Sequence, residues 1–328
     1  MPVTSDILRL KEEIDGLRGR LDLLTMAVNS LSAAPASPSH SPSHSASTNS
    51  SNIPLYVPLG HYYSPVPDLN EIRPHEGRVF RTGTRSFEGI DLRETQQMEL
   101  VKQLKKYYDE QPFTEHKTEG RRYYYHNDAY CYSDGVFLYG MMRHLKPRRY
   151  LEVGSGYSSA LAMDVNDLFF DGRIQLTFVE PYPDRLLANM RETDHARVRL
   201  IEARLQDADI APFLQLEAGD ILFVDSTHVS RVDSDVNRMI FEILPAVAAG
   251  VYIHFHDIFY PFEYPKPWVY EGRAWNEIYL LHAFLQYNSQ FEVVLFNTFL
   301  DHFHRDYFEK HMPLCTVNPG GSLWLHKR

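Results

Sequence analysis

The stretch ILFVDSTHV, residues 221–229, drives four apolar residues into Asp225 and follows it three positions later with His228. A second run, YIHFHDIF, brings His254, His256 and Asp257 to the end of another apolar segment. Acids and imidazoles at the carboxyl ends of adjacent buried strands emerge into the crevice where open α/β sheets bind ligands. There Asp225, His256 and Asp257 can hold a divalent cation. Carboxylate oxygens suit Mg²⁺ or Mn²⁺, and an imidazole biases the choice towards Mn²⁺, Fe²⁺ or Zn²⁺. His228 beside Asp225 is the candidate general base: imidazole titrates near neutrality and can take a hydroxyl proton while a cation stabilises the alkoxide. In the blander reading Asp225 contacts a ligand directly, His228 acts unaided, and His254 and His256 are packed, hydrogen-bonded sheet residues.

Such convergence needs a parallel sheet. From Ser133 onward, apolar runs of strand length alternate with helical stretches, the pattern of a doubly wound α/β fold. Strands are predicted at 150–153, 175–179, 198–201, 221–224, 251–255, 291–296 and 322–326. Helices are predicted at 134–145, 158–168, 184–191, 232–244 and 275–287. The turn Pro319-Gly320-Gly321 lets the last strand return antiparallel. YLEVGSGYSSALAMD reads as a strand ending in Glu152, a Gly154-Ser155-Gly156 turn, and a helix opened by Ser158 and Ser159. Glycine lets the backbone pass close beneath a ligand, and helix-start amides can meet a carboxylate or phosphate. Glu180 closes the second strand in FVEPYP, where it can accept hydrogen bonds from both hydroxyls of a ribose.

This order of features resembles the class I S-adenosylmethionine-dependent methyltransferases over residues 130–328. The resemblance implies a Rossmann-like, doubly wound α/β sheet of seven strands with an antiparallel last strand, and S-adenosyl-L-methionine as cofactor. It puts Gly154, Ser155 and Gly156 beneath the methionine part, flanked by Glu152 and Ser158, and puts Glu180 on the ribose. Leu205, Gln206 and Asp207 in ARLQDAD then resemble the adenine-contacting turn, although Gln206 and Asp207 suit an ordinary helix start equally well. Two metal-assisted branches are similar at the acidic positions. Catechol-type O-methyltransferases match Asp225 and Asp257; macrolide-sugar O-methyltransferases match the Asp-x-x-His of Asp225 and His228. The chain departs from both, with Ile258 where the first branch has Asn and His256 where the second has an acid. The implied activity is O-methylation of a sugar, a glycan or another small hydroxylated acceptor, with Mg²⁺ or Mn²⁺ as a further cofactor. The loop FYPFEYPKPWVYEGRAWNE offers Tyr260, Phe262, Tyr264 and Trp268 as acceptor walls and Glu263 or Lys266 as polar contacts. Aromatic faces suit the C–H face of a sugar ring or a planar phenol.

Two readings from other classes stay open. A nicotinamide-dependent oxidoreductase uses the same sheet, although Ser159 stands where the dinucleotide fingerprint wants a third glycine. A non-catalytic scaffold is the other, because Ile7, Leu10, Ile14, Leu17, Leu21, Leu24, Val28 and Leu31 alternate at spacings of three and four. That is the seam of a coiled coil, and residues 1–32 are expected to self-associate through 7–31. Residues 33–54, rich in Ser, Pro and Ala, are expected to be a disordered linker. Residues 55–132 are an aromatic-rich lead-in with a helix at 94–108, ahead of the catalytic domain at 133–328.

Composition narrows the partners. The 328 residues carry 33 Lys plus Arg against 43 Asp plus Glu, a net charge of −10 that argues against a phosphate-tracking nucleic-acid surface. Two distant cysteines, Cys131 and Cys315, support neither a disulfide framework nor a Cys-based zinc site, and fit a reducing cytoplasm. No apolar run approaches the ~20 residues of a membrane span.

Overall fold

The computed structural model describes residues 55–328; the expected coiled coil (1–32) and linker (33–54) lie outside the described residues. Seven strands form one sheet: β1 (Arg149–Val153), β2 (Gln175–Val179), β3 (Val198–Ile201), β4 (Ile221–Val224), β5 (Tyr252–Phe255), β6 (Phe291–Phe296) and β7 (Leu323–Lys327). Their order is β3-β2-β1-β4-β5-β7-β6, and β7 runs antiparallel to both its neighbours. The expected antiparallel last strand is thus present, inserted between β5 and β6. The chain steps outward from β1 to β3 and then returns to lay β4 against β1. That reversal is the switch point at which doubly wound sheets leave a crevice.

Central strands covered on both faces read as unbroken apolar runs. β4, ILFV, is buried at every position, whereas the edge strand β3, VRLI, is only partly covered. The parallel register then aligns the strand ends. Val153 pairs with Val179 on one side and Val224 on the other, and Val224 pairs with Phe255. The ladder runs one residue further: the Gly154 amide donates to the Val179 carbonyl, Asp225 to Val153, and His256 to Val224. Gly154, Glu180, Asp225 and His256 therefore leave the sheet on one edge.

Residues 56–328 form one compact unit that includes the lead-in. Helix Glu94–Glu110 buries Gln97, Val101, Leu104 and Tyr107 on one face. The Gln97 amide donates to the Leu92 carbonyl at 2.6 Å and accepts from the Phe296 amide at 2.7 Å, tying the helix to β6. Further along, buried Arg122 pairs with Asp164 at 2.7 Å and with Asp194, while the backbone amides of Arg122 and Tyr123 donate to Asp164. Removing one partner of such a buried pair costs about 3–5 kcal/mol. This anchor fixes the tyrosine-rich segment on helix Tyr157–Phe170 and presents residues 127–131 beside the crevice.

Two helices depart from expectation. The predicted helix at 232–244 is broken into Asp235–Arg238, a π turn at Met239–Ile243 and Leu244–Ala246. Pro245 supplies no amide to the helical ladder there. The helix predicted at 275–287 is shortened to Glu277–Leu285, because Asn276 is drawn into side-chain bonds with the Ser230 backbone. Among the described residues, no helix is long and apolar enough to cross a membrane.

Candidate active site

Two cavities open on the aligned strand ends. The first, about 510 Å³, is lined by Gly154, Glu180, Leu205, Gln206 and residues 225–227 and 231–235. The second, about 810 Å³, is lined by Asp134, Asp225, His228, His256, Asp257, Trp268 and Trp275, among others. They share Asp225, Ser226 and Thr227. Ser226 Oγ, at that junction, is buried with no hydrogen-bond partner among the described residues.

In the first cavity, Gly154 has φ +79°, and a Cβ there would sit 1.5 Å from the Asp225 carbonyl oxygen. Its glycine is required by the close approach of β4 as well as by any ligand. Glu180 accepts the Ser155 amide at 2.9 Å and the Tyr182 amide at 2.8 Å, leaving carboxylate lone pairs for another donor. Gln206 Nε2 donates to the Asp233 carbonyl at 2.7 Å.

The remaining cofactor candidates lie off the cleft. Glu152 is fully buried and its Oε1 accepts the hydroxyls of Ser158 and Ser159, each at 2.7 Å, while Oε2 has no hydrogen-bond partner among the described residues. Burial lifts the Glu152 carboxyl to about 7. Ser155 contributes its amide to Glu180, and the Gly156 amide donates to Ser159 Oγ at 3.0 Å. Asp207 pairs with Arg204 on the surface at 2.6 Å.

The second cavity collects the acids and imidazoles. His228 Nε2 lies 3.3 Å from Asp225 Oδ1 and 3.6 Å from Asp257 Oδ2. Its Nδ1 lies 2.9 Å from Glu277 Oε2, and the Asn276 and Glu277 amides both donate to the His228 carbonyl at 3.1 Å. The start of helix Glu277–Leu285 thus grips His228 through main chain and side chain together. His228 and Asp257 are held at φ +60° and +57°. Left-handed conformations at non-glycine residues cost on the order of 1–3 kcal/mol each and gather at functional sites. Burial alone would depress the His228 imidazole, but the bonds to Asp225 and Glu277 outweigh it and hold the pKa well above the usual value. Desolvation raises Asp257 and Glu277, whereas His256 and His228 overcome the burial of Asp225 and lower it.

The cation set differs from the expected one in one member. Among the described residues, the donor atoms that come within 4.8 Å of one another belong to Asp225, His228 and Asp257. His256 stands outside, with Nε2 3.5 Å from Asp257, Nδ1 buried and unpartnered, and its ring 5.1 Å from that of Tyr130. His254 is a core residue, stacked on Phe223 at 4.0 Å with Nε2 2.9 Å from Ser322 Oγ.

Of the acceptor candidates, Trp268 lines the cavity. Tyr260 is turned to the lead-in, where its hydroxyl accepts the Gly83 amide and donates to the Thr84 carbonyl. Tyr264 is buried with its hydroxyl accepting the Ile278 amide, and Glu263 accepts from the Tyr279 hydroxyl. The aromatic loop packs most of its rings into the protein, because large rings bury more area there than in a cavity wall. Three residues that sequence reasoning left without a role now have one. Glu277 reads in sequence as an ordinary acid at a helix start, Trp275 has its ring 4.5 Å from that of His228, and Asp134 lies 91 positions before Asp225.

A family model described as a methyltransferase domain matches residues 151–258, the span from β1 to just past Asp257. An uncharacterized protein of Archaeoglobus fulgidus is 34% identical over 163 residues, covering 49% of this chain and 73% of the relative. Among solved structures, the Podospora anserina methyltransferase PaMTH1 bound to S-adenosylhomocysteine is similar at 15% identity, over 79% of this chain and 95% of that one, with a TM-score of 0.39. The O-methyltransferase TomG of Streptomyces achromogenes, in complex with S-adenosylmethionine, is similar at 15% identity, over 68% of this chain and 87% of that one, with a TM-score of 0.34. With the matched domain spanning the glycine turn, Glu180 and the acidic ends of β4 and β5, the chain belongs to the class I S-adenosylmethionine-dependent methyltransferases.

Proposed function

We propose that this methyltransferase moves the methyl group to a hydroxyl oxygen of a small acceptor, a glycan or another sugar-bearing molecule, seated in the cavity around His228. The observation that carries this reading is the shared wall: the cleft with Gly154 and Glu180 meets the cavity with His228 and Asp257 at Asp225, Ser226 and Thr227. S-adenosylmethionine, which Gly154 and Glu180 would hold in the first cavity, supplies an electrophilic methyl on a sulfonium when bound. The partnerless Ser226 Oγ at the junction is a polar group that such an occupant can satisfy.

On the acceptor side, Glu277 accepts a hydrogen bond from the Nδ1–H of His228, so the neutral imidazole, formed as pH rises through the raised pKa of His228, turns its Nε2 lone pair to the cavity. Nε2 can then accept the proton of the acceptor hydroxyl, and the carboxylates of Asp225, Asp257 and Glu277 stabilise the imidazolium that forms. Methyl transfer is an in-line displacement, so alignment and deprotonation of the acceptor dominate the rate.

Asp225, His228 and Asp257 also fit a divalent cation. Two hard oxygens and an imidazole suit Mn²⁺ or Mg²⁺, and Glu277 is the outer carboxylate that metal-binding imidazoles usually have. A bound cation would supply Lewis acidity towards the acceptor hydroxyl. Transfer of labelled methyl to hydroxylated acceptors, with and without chelator, tests both levels. Loss on chelation with recovery in Mn²⁺ supports the cation, and full activity in chelator leaves His228 as an unaided base. Self-association through 7–31 and a cytoplasmic setting complete the reading; deleting residues 1–32 should lower the solution mass to that of one chain.

A further inference from the structure

We propose that Asp134 is a second acceptor-binding carboxylate, and that the acceptor carries another hydroxyl group beside the one that is methylated. This rests on the hydroxyl-acceptor reading above and deepens it by assigning the residue that holds a second hydroxyl of that acceptor. Asp134 sits in the first turn of helix Ser133–Leu145, is 4% exposed, and lines the 810 Å³ cavity. Its two oxygens are used unequally. Oδ1 accepts the Gly321 amide at 3.0 Å, Asn297 Nδ2 at 3.2 Å and the Ser322 hydroxyl. Oδ2 receives no hydrogen bond from any described residue; among the described residues the charge that acts on Asp134 most favourably is that of His256, which makes no hydrogen bond to it. Anchoring alone would be served by an asparagine, whose carbonyl could accept the same three donors. A buried carboxylate with one oxygen open to a cavity is a costly arrangement unless a donor arrives there.

The turn at Gly320 and Gly321 ties Asp134 to the segment that carries Asp257. A Cβ on Gly320 would lie 2.2 Å from Asp134 Oδ1, and one on Gly321 would lie 3.2 Å from the Asp257 Cα. The Gly321 amide holds Asp134 while its carbonyl accepts the Ile258 amide at 2.8 Å. One two-glycine turn therefore fastens Asp134 and Asp257 side by side. Asp134, His228 and Asp257 line one cavity, so a second hydroxyl of an acceptor seated there has Asp134 to meet. Trp268 and Trp275 line the same cavity and suit the C–H faces of a sugar.

The test uses the full-length protein, labelled S-adenosylmethionine, and a panel of methyl glucoside, myo-inositol and catechol, with phenol and cyclohexanol as monohydroxy partners. In D134N the side-chain carbonyl can keep the three bonds while Oδ2 becomes a donor. The expected result is a KM for the diol and polyol acceptors raised about tenfold or more, in the range of a lost hydrogen bond to a charged group. The KM for S-adenosylmethionine and the turnover of monohydroxy acceptors should stay within about twofold. Equal loss on both acceptor classes, or no loss on the diols, overturns the proposal while leaving hydroxyl methylation standing. If D134N does not fold, the wild-type preference for each diol over its monohydroxy partner decides, and no preference overturns it. Absence of transfer to every panel member, with S-adenosylhomocysteine still bound in calorimetry, removes the hydroxyl-acceptor reading and this proposal together.

Discussion

The cofactor cleft and the acceptor cavity share three residues and are built in opposite ways. Gly154, Glu180 and Gln206 each follow the end of a parallel strand closely, so strand register alone delivers them to one edge. The acceptor cavity takes its walls from segments as far apart as Asn127 and Gly321, joined by the Arg122 ion pairs, the Glu277 grip on His228 and the two-glycine turn. The strongly perturbed His228 belongs to the second region. A cleft that must recognise a common cofactor can be made by local geometry. A cavity that must desolvate acids and imidazoles requires long-range closure, since only packing from several directions removes water from them.

Breaking the local side should cost most. In G154A the added Cβ meets the Asp225 carbonyl at 1.5 Å and φ +79° strains any side chain, so β1 and β4 cannot keep their register. Destabilisation should exceed the ~0.5–3 kcal/mol of ordinary substitutions, and calorimetry should find no S-adenosylhomocysteine binding. Because Asp225 belongs to both regions, this change disables the acceptor side as well. Breaking the far side should be more selective. H228N should lower kcat by roughly 10²- to 10⁴-fold, the range of a lost general base, with S-adenosylhomocysteine affinity within about twofold. Equal loss of both functions would mean that the two regions are not separable.

That contrast also explains what was legible from the sequence. All seven strands, their order of chemistry along one edge and the antiparallel β7 follow from apolar runs and turn residues, which are local signals. Gly154, Glu180 and Asp225 were legible for the same reason. Glu277 was not, because an acid opening a helix is ordinary and only the fold reveals its partner at 2.9 Å. Asp134 was hidden likewise, since its partners at 297 and 320–322 lie more than 160 positions away. Tyr260 was misplaced because ring content cannot say which face of a loop turns inward. Glu152 is turned into the core, where the two serines of the helix start donate to it.

A smaller effect sharpens the boundary of the acceptor cavity. W268A should raise the acceptor KM several-fold, roughly the ~0.5–1.5 kcal/mol of an aromatic contact, without altering the KM for S-adenosylmethionine. Y260F should do the reverse: it loses the bonds of the hydroxyl to the Gly83 amide and the Thr84 carbonyl, lowering stability by about 1 kcal/mol and Tm with it, with kinetics unchanged. A kinetic defect in Y260F would return that ring to the cavity wall.

A last pair of substitutions separates the two imidazoles in one measurement. His254 is buried between Phe223 and Trp324, and desolvation, with repulsion from His256, holds its pKa well below the usual value. Below the unfolded pKa of about 6.5, the unfolded chain takes a proton that the folded site refuses, so stability falls as pH falls. His228 acts in the other window, because its raised pKa gives stability that is full below about 6.5 and is lost as pH rises through the folded value. H254Q should therefore flatten the profile of stability against pH below about pH 6.5, by at most about 1.4 kcal/mol per pH unit, and leave the alkaline limb in place. H228N should flatten the alkaline limb and leave the acid one. If either substitution changed both limbs, the core histidine and the cavity histidine would be titrating as one system, and the division between a packed sheet and a reactive edge would have to be drawn elsewhere.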